Sequence, residues 1–121
     1  SNRKKILAID DEEDLRIILK EELTDEGYEV FTLGDPEKAM DRIEATKPDL
    51  VLLDIKMPGM SGMDLLNLVR EKYYNLPVIL LTAYSSFKKD IAAAACDQYV
   101  VKSGDFTELK KRIRKTLSVT T

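Results

Sequence analysis

Five short apolar runs, each followed by a segment of helical periodicity, set the frame for this chain. Lys5-Ile6-Leu7-Ala8-Ile9 reads as a first strand. Glu12 to Glu26 reads as a helix with Leu15, Ile18, Leu19 and Leu23 on one face, and Gly27 ends it. Tyr28 to Leu33 alternates as a strand. Asp35 and Pro36 open a second helix as N-cap and first-turn proline, and Pro48 stops it after Lys47. Asp49-Leu50-Val51-Leu52-Leu53 is apolar without alternation, the pattern of a strand covered on both faces. Pro58, Gly59 and Gly62 make a loop before a helix from about Gly62 to Tyr73. Pro77 to Leu81 is a fourth strand, Ser86 to Ala95 a fourth helix and Gln98 to Val101 a fifth strand. A last helix lines up Phe106, Leu109, Ile113 and Leu117.

Strict β-α alternation predicts an α/β fold, a doubly wound five-stranded parallel sheet with helices on both faces and right-handed crossovers. No internal linker or repeat interrupts it, so residues 3–118 are expected to form one domain. Several function classes drop out on composition. The net charge of -3 and pI of about 5.1 argue against direct nucleic-acid binding. The absence of histidine removes His-ligated metals, His-based acid-base chemistry and a phosphohistidine on this chain. The single cysteine, Cys96, allows no internal disulfide and reads as a small buried apolar group. No apolar run approaches the roughly 20 residues of a membrane span, and no signal peptide is visible. A cytoplasmic location without membrane association is therefore expected.

In open α/β sheets, ligands bind beyond the carboxyl ends of the strands. Asp10 and Asp11 follow the first strand, Asp54 the third, Thr82 the fourth and Lys102 the fifth. Three carboxylates in one pocket repel one another unless a cation sits among them. Hard oxygen ligands without His or Cys favour Mg2+. With Mg2+ to bind phosphate oxygens, Asp54 becomes a nucleophile that forms an aspartyl phosphate, and Thr82 a hydrogen-bond donor to it. An aspartate after a strand is commonly a mere cap or turn residue. Five suitable residues at four strand ends are what separates this set from coincidence.

The motifs Ile9-Asp10-Asp11-Glu12, Leu53 to Gly62, Leu81-Thr82-Ala83-Tyr84 and Tyr99-Val100-Val101-Lys102 resemble the receiver domain of bacterial two-component response regulators, from Lys4 to about Leu117. The resemblance implies a flavodoxin-like strand order, 2-1-3-4-5. It implies phosphorylation of Asp54 from a phosphohistidine on a sensor histidine kinase or a histidine phosphotransfer protein. Asp11, Asp54 and the backbone carbonyl of Lys56 would ligate Mg2+, with Asp10 holding a metal-bound water. Thr82 and Lys102 would bind the phosphoryl oxygens, and Tyr99 would be the switch aromatic that turns inward as Thr82 moves. The output face, and the surface for a homodimer, would be the fourth helix, fifth strand and fifth helix. Such a domain is not an enzyme in the ordinary sense, because it catalyses only its own phosphotransfer and dephosphorylation.

Lys56 and Tyr84 flank the pocket by the same analogy and would tune phosphoryl lifetime, though each reads equally well as a plain surface residue. The run Lys110, Lys111, Arg112, Arg114 and Lys115 reads as a solvated face suited to a helix C-terminus. Two positions depart from the family pattern. Ala95 stands where many members have glycine, and Ser103 follows Lys102 where proline is usual and the bond is cis. A cis bond to a non-proline residue costs about 2.5–4 kcal/mol, and Gly104 gives the loop freedom to adjust. A trans bond and a rebuilt loop from Ser103 to Asp105 are expected, with Lys102 still reaching the pocket. Three rival readings are weaker, one of them a non-phosphorylated interaction module of the same fold, which would have no need of so repulsive an acidic set. A haloacid-dehalogenase-type hydrolase would carry a second carboxylate where Asp54-Ile55-Lys56 has lysine, and no glycine-rich phosphate loop supports nucleotide binding.

Overall fold

The layered arrangement follows from which residues each strand sends to either side. A computed structural model describes residues 2–55, 57, 59–83 and 98–119. In chain order these form β1 (Lys5–Ile9), α1 (Glu13–Asp25), β2 (Glu29–Leu33), a 3-10 turn (Pro36–Lys38), α2 (Ala39–Thr46), β3 (Leu50–Asp54), α3 (Gly62–Lys72), β4 (Val78–Thr82), β5 (Gln98–Val101) and a C-terminal helix (Thr107–Val119). The expected fourth helix, with Ala95, Cys96 and Tyr84, lies outside the described residues, as does Lys56.

All neighbouring strands pair in parallel, in the order β2-β1-β3-β4-β5. Leu7, Ile9, Val51, Leu53, Val78 and Leu80 face α2 and α3, and pack on Ile43, Leu65, Leu66 and Val69. Ile6, Ala8, Leu50, Leu52, Ile79 and Leu81 face α1 and the C-terminal helix, and pack on Leu19, Leu23, Leu109 and Ile113. Every residue of β3 and β4 is buried, which explains why neither strand alternates in sequence. Each buried leucine or isoleucine contributes about 1.5–3 kcal/mol relative to exposure.

Two details differ from expectation. Ile18 is 41% exposed, because the seam of α1 follows the i, i+4 row Leu15, Leu19, Leu23 and leaves Ile18 at its edge. The second helix begins as a 3-10 turn: Asp35 Oδ1 accepts from the Glu37 N–H at 3.0 Å, and regular α-helix starts only at Ala39. The basic C-terminal helix is also more than a solvated face. Lys110 pairs with Glu22 at 2.6 Å and Arg114 with Glu26 at 3.1 Å, two successive rungs between this helix and α1. No helix among the described residues is long and apolar enough to cross a membrane.

Candidate functional site at the strand ends

The parallel order brings the carboxyl ends of β1, β3, β4 and β5 to one rim. Asp54 and Thr82 are the last residues of their strands rather than the first beyond them. The ladder runs one residue further than the apolar runs indicate, since Asp54 pairs with Leu81 and Thr82 with Val101. The Lys102 N–H then donates to the Thr82 carbonyl and places lysine at the end of β5. The Asp10 N–H donates to the Leu33 carbonyl at 3.0 Å, which pins Asp10 just past β1.

Asp10, Asp11 and Asp54 each offer a carboxylate oxygen within 4.8 Å of the others. Asp10 and Asp54 are buried and Asp11 is exposed, so the group opens to solvent on the Asp11 side. Lys102 Nζ lies 3.1 Å from Asp10 Oδ2, 3.4 Å from Asp54 Oδ1 and 3.0 Å from Glu12 Oε1. Burial alone disfavours the Lys102 ammonium. The hydrogen bond to Glu12 and the close ion pairs with Asp10 and Asp54 more than reverse this and raise its pKa above the usual lysine range. Thr82 is buried at the neighbouring strand end, and Tyr99 is half-buried against the α2–α3 side of the core. The described part of the rim thus brings together Asp10, Asp11, Asp54, Thr82 and Lys102.

The donor set fits a hard divalent cation. Asp10 Oδ1 accepts from the Glu12 N–H at 2.9 Å, whereas the buried Oδ2 accepts no aligned hydrogen bond and is only approached by the Lys102 ammonium. A buried carboxylate oxygen without a hydrogen bond, beside two more carboxylates and no nitrogen or sulfur ligand, suits Mg2+ chemistry. The Lys102–Ser103 bond is trans, since no cis peptide occurs among the described residues. The Asp105 N–H donates to Ser103 Oγ at 3.1 Å, a local turn that occupies the loop without proline.

Three supporting residues lie outside the expected site set. Arg16 Nη1 donates to the Asp10 carbonyl at 2.8 Å and lies across Gly34, where a Cβ would come within 2.7 Å of it. Glu12, the N-cap of α1, makes no capping bond with its side chain and spends it on Lys102 instead. Ser61 caps α3 by accepting from the Asp64 N–H at 3.2 Å.

A parallel 2-1-3-4-5 sheet with an acidic triad and a lysine at its carboxyl rim defines the receiver class of signalling domains. The chain belongs to the response regulator receiver domain family, whose model matches residues 6–114. It is similar to the response regulator protein TrrA of Thermotoga maritima, solved in complex with Mg2+-BeF, at 46% identity and a TM-score of 0.88, covering 93% of this chain and 97% of that one. TrrA in complex with the histidine kinase ThkA matches at the same identity and coverage with a TM-score of 0.85. The BeF3-activated N-terminal receiver domain of Klebsiella pneumoniae RstA matches at 29% identity and a TM-score of 0.87, covering 94% of this chain and 98% of that one.

Proposed function

We propose that residues 3–118 form a phosphoryl-accepting switch in which Asp54 is the acceptor. The observation that carries this reading is a buried Asp54 carboxylate within 4.8 Å of those of Asp10 and Asp11 and 3.4 Å from the Lys102 ammonium. Asp11, Asp54 and the Lys56 carbonyl would hold Mg2+, with Asp10 acting through a bound water. The ion, when bound, neutralises charge on the transferring phosphoryl group. An Asp54 oxygen attacks phosphorus, the bond from phosphorus to the donor's imidazole nitrogen breaks, and the imidazole leaves. Lys102 and Thr82 take the phosphoryl oxygens as ammonium and hydroxyl donors. Thr82 then draws toward the phosphoryl group and Tyr99 turns inward, shifting the population toward a second state.

The donor is a sensor histidine kinase or a histidine phosphotransfer protein. TrrA's complex with a histidine kinase supports this at 46% identity. The domain catalyses only its own phosphotransfer and dephosphorylation, works in the cytoplasm, binds no nucleic acid itself, and dimerises through the fourth helix, fifth strand and fifth helix. Incubation with Mg2+ and a small acyl phosphate should add one phosphoryl group by mass, labile to hydroxylamine. Asp54→Asn should abolish it, and normal labelling of that variant overturns the assignment.

A further inference from the structure

The peptide between Asp10 and Asp11 joins two carboxylates of the acidic triad, and its orientation is set from outside the site. A peptide unit is planar, so holding its carbonyl holds the plane from one Cα to the next. Arg16 Nη1 donates to the Asp10 carbonyl at 2.8 Å. The rest of Asp10 is tied down as well: its N–H donates to the Leu33 carbonyl at 3.0 Å, and its Oδ1 accepts from the Glu12 N–H at 2.9 Å. Only Oδ2 is left without an aligned hydrogen bond. Asp11 is exposed, so the main chain that carries it decides where its carboxylate stands. Arg16 is itself seated. It comes at the end of the first turn of α1, where the helix dipole disfavours a cation, so helix stability does not account for it. Its guanidinium lies across Gly34, where a Cβ would come within 2.7 Å of Nη1 and 2.9 Å of Cζ. The backbone of Gly34 has no left-handed φ, so a side chain there would disturb the guanidinium rather than the chain.

We propose that Arg16 is a positioning residue for the cation site: seated over Gly34, it fixes the Asp10–Asp11 peptide and with it the relative placement of the two carboxylates. This rests on the reading of Asp10 and Asp11 as part of a Mg2+ site. Water can replace the guanidinium as a donor to the Asp10 carbonyl, but it does not hold that carbonyl in one direction. Arg16 thereby sets how tightly the site takes the ion without touching it.

The test is Mg2+ calorimetry on the full chain, with urea denaturation of the metal-free protein to establish that each variant is folded. Arg16→Met keeps an aliphatic stem over Gly34 and removes the donor. It should weaken Mg2+ binding about tenfold, as losing an indirect partner of a metal site commonly does. Charge alone predicts the opposite sign, because a positive group near the ion has been removed. A merely structural Arg16 would lower the urea midpoint and leave the Mg2+ affinity of the folded protein unchanged. Gly34→Ala keeps the charge but displaces the guanidinium, and should weaken binding in the same direction. The double variant should bind no more weakly than Arg16→Met, since both changes break one contact. In the metal-free protein, the Asp11 amide NMR resonance should move in both single variants. Wild-type or tighter Mg2+ affinity in Arg16→Met or in Gly34→Ala overturns the inference alone, as does an unmoved Asp11 resonance. So do losses that multiply in the double variant, because Gly34 would then act independently of Arg16. A wild-type protein that binds no Mg2+ overturns the metal site and this inference with it.

Discussion

Gly62 lies so close under Asp54 that a Cβ placed on it would sit 2.0 Å from the Asp54 carbonyl oxygen and 2.7 Å from the Ile55 Cα. The Gly62 N–H also donates to the Ile55 carbonyl at 2.8 Å. The first turn of α3 is thus pressed against the end of β3, and the backbone of the proposed nucleophile is fixed by a residue with no side chain. Both obstacles are backbone, so no rotamer change relieves them. Gly62→Ala should cost about 1–3 kcal/mol, as overpacking does, and should displace Asp54. Urea denaturation measures the first effect. Asp54 labelling that falls by more than the unfolded fraction accounts for would report the second.

Asp11 is the exposed member of the acidic triad. Its removal takes a hard oxygen from the proposed ion without opening a cavity. Asp11→Ala should weaken Mg2+ binding on the order of tenfold or more, since even indirect partners of a metal commonly contribute that much. Metal-free stability should hold or rise, because carboxylate repulsion is relieved. Calorimetry with Mg2+, beside a thermal melt without it, separates these effects. Unchanged Mg2+ affinity would place the ion elsewhere.

How far the sequence reaches depends on whether a feature is local. β3 and β4 were legible because both faces are buried and their apolar runs are unbroken. The rim residues Asp10, Asp54, Thr82 and Lys102 followed from those runs, with strand ends off by one at Asp54 and Thr82. Ile18 was misplaced because periodicity gives a stripe but not which of its edges meets the sheet. Glu12 and Arg16 were invisible as site residues for a different reason. Glu12 meets Lys102 across 90 positions, and Arg16 meets Gly34 only once α1 and β2 are docked. In the sequence Gly62 is one of the loop glycines before α3, and its close approach to Asp54 appears only in three dimensions.

Lys47 shows a further limit, since nothing in Thr46-Lys47-Pro48 marks a left-handed residue. It closes α2 with φ 49° and ψ 62°, its N–H donating to the Ile43 carbonyl at 2.8 Å. A residue with a Cβ loses roughly 1–2 kcal/mol there, which glycine avoids at some entropic cost. Lys47→Gly should therefore stabilise the protein by about 0.5–1 kcal/mol. It precedes the start of β3, at the end of the sheet opposite the rim where Asp54 ends that strand, so Asp54 labelling should not change. A lower urea midpoint would mean that the lysine side chain contributes more than the strain.

Tyr73 ties α3 to α2 through a bond with a definite pH signature. Its hydroxyl donates to Glu44 Oε2, and Lys72 stands 3.5 Å from the same carboxylate and 5.6 Å from the Tyr73 ring centroid. The Tyr73 hydrogen bond, with help from the Lys72 charge, lowers the Glu44 pKa. A depressed carboxyl contributes stability that is present above its unfolded value, about 4.3, and is lost as pH falls through the folded value. The same bond raises the Tyr73 pKa. The phenol's share is accordingly present below about 10 and lost as pH rises through its folded value. Tyr73→Phe keeps the ring, which packs on the α2–α3 side of the core, and removes only the donor. The variant should be less stable than wild type at pH 7, and the two should converge as pH falls through the folded value of Glu44 and as it rises through that of Tyr73. Urea midpoints at pH 3, 7 and 9 decide it. A deficit that persists undiminished at pH 3 would assign the role of Tyr73 to ring packing rather than to its bond with Glu44.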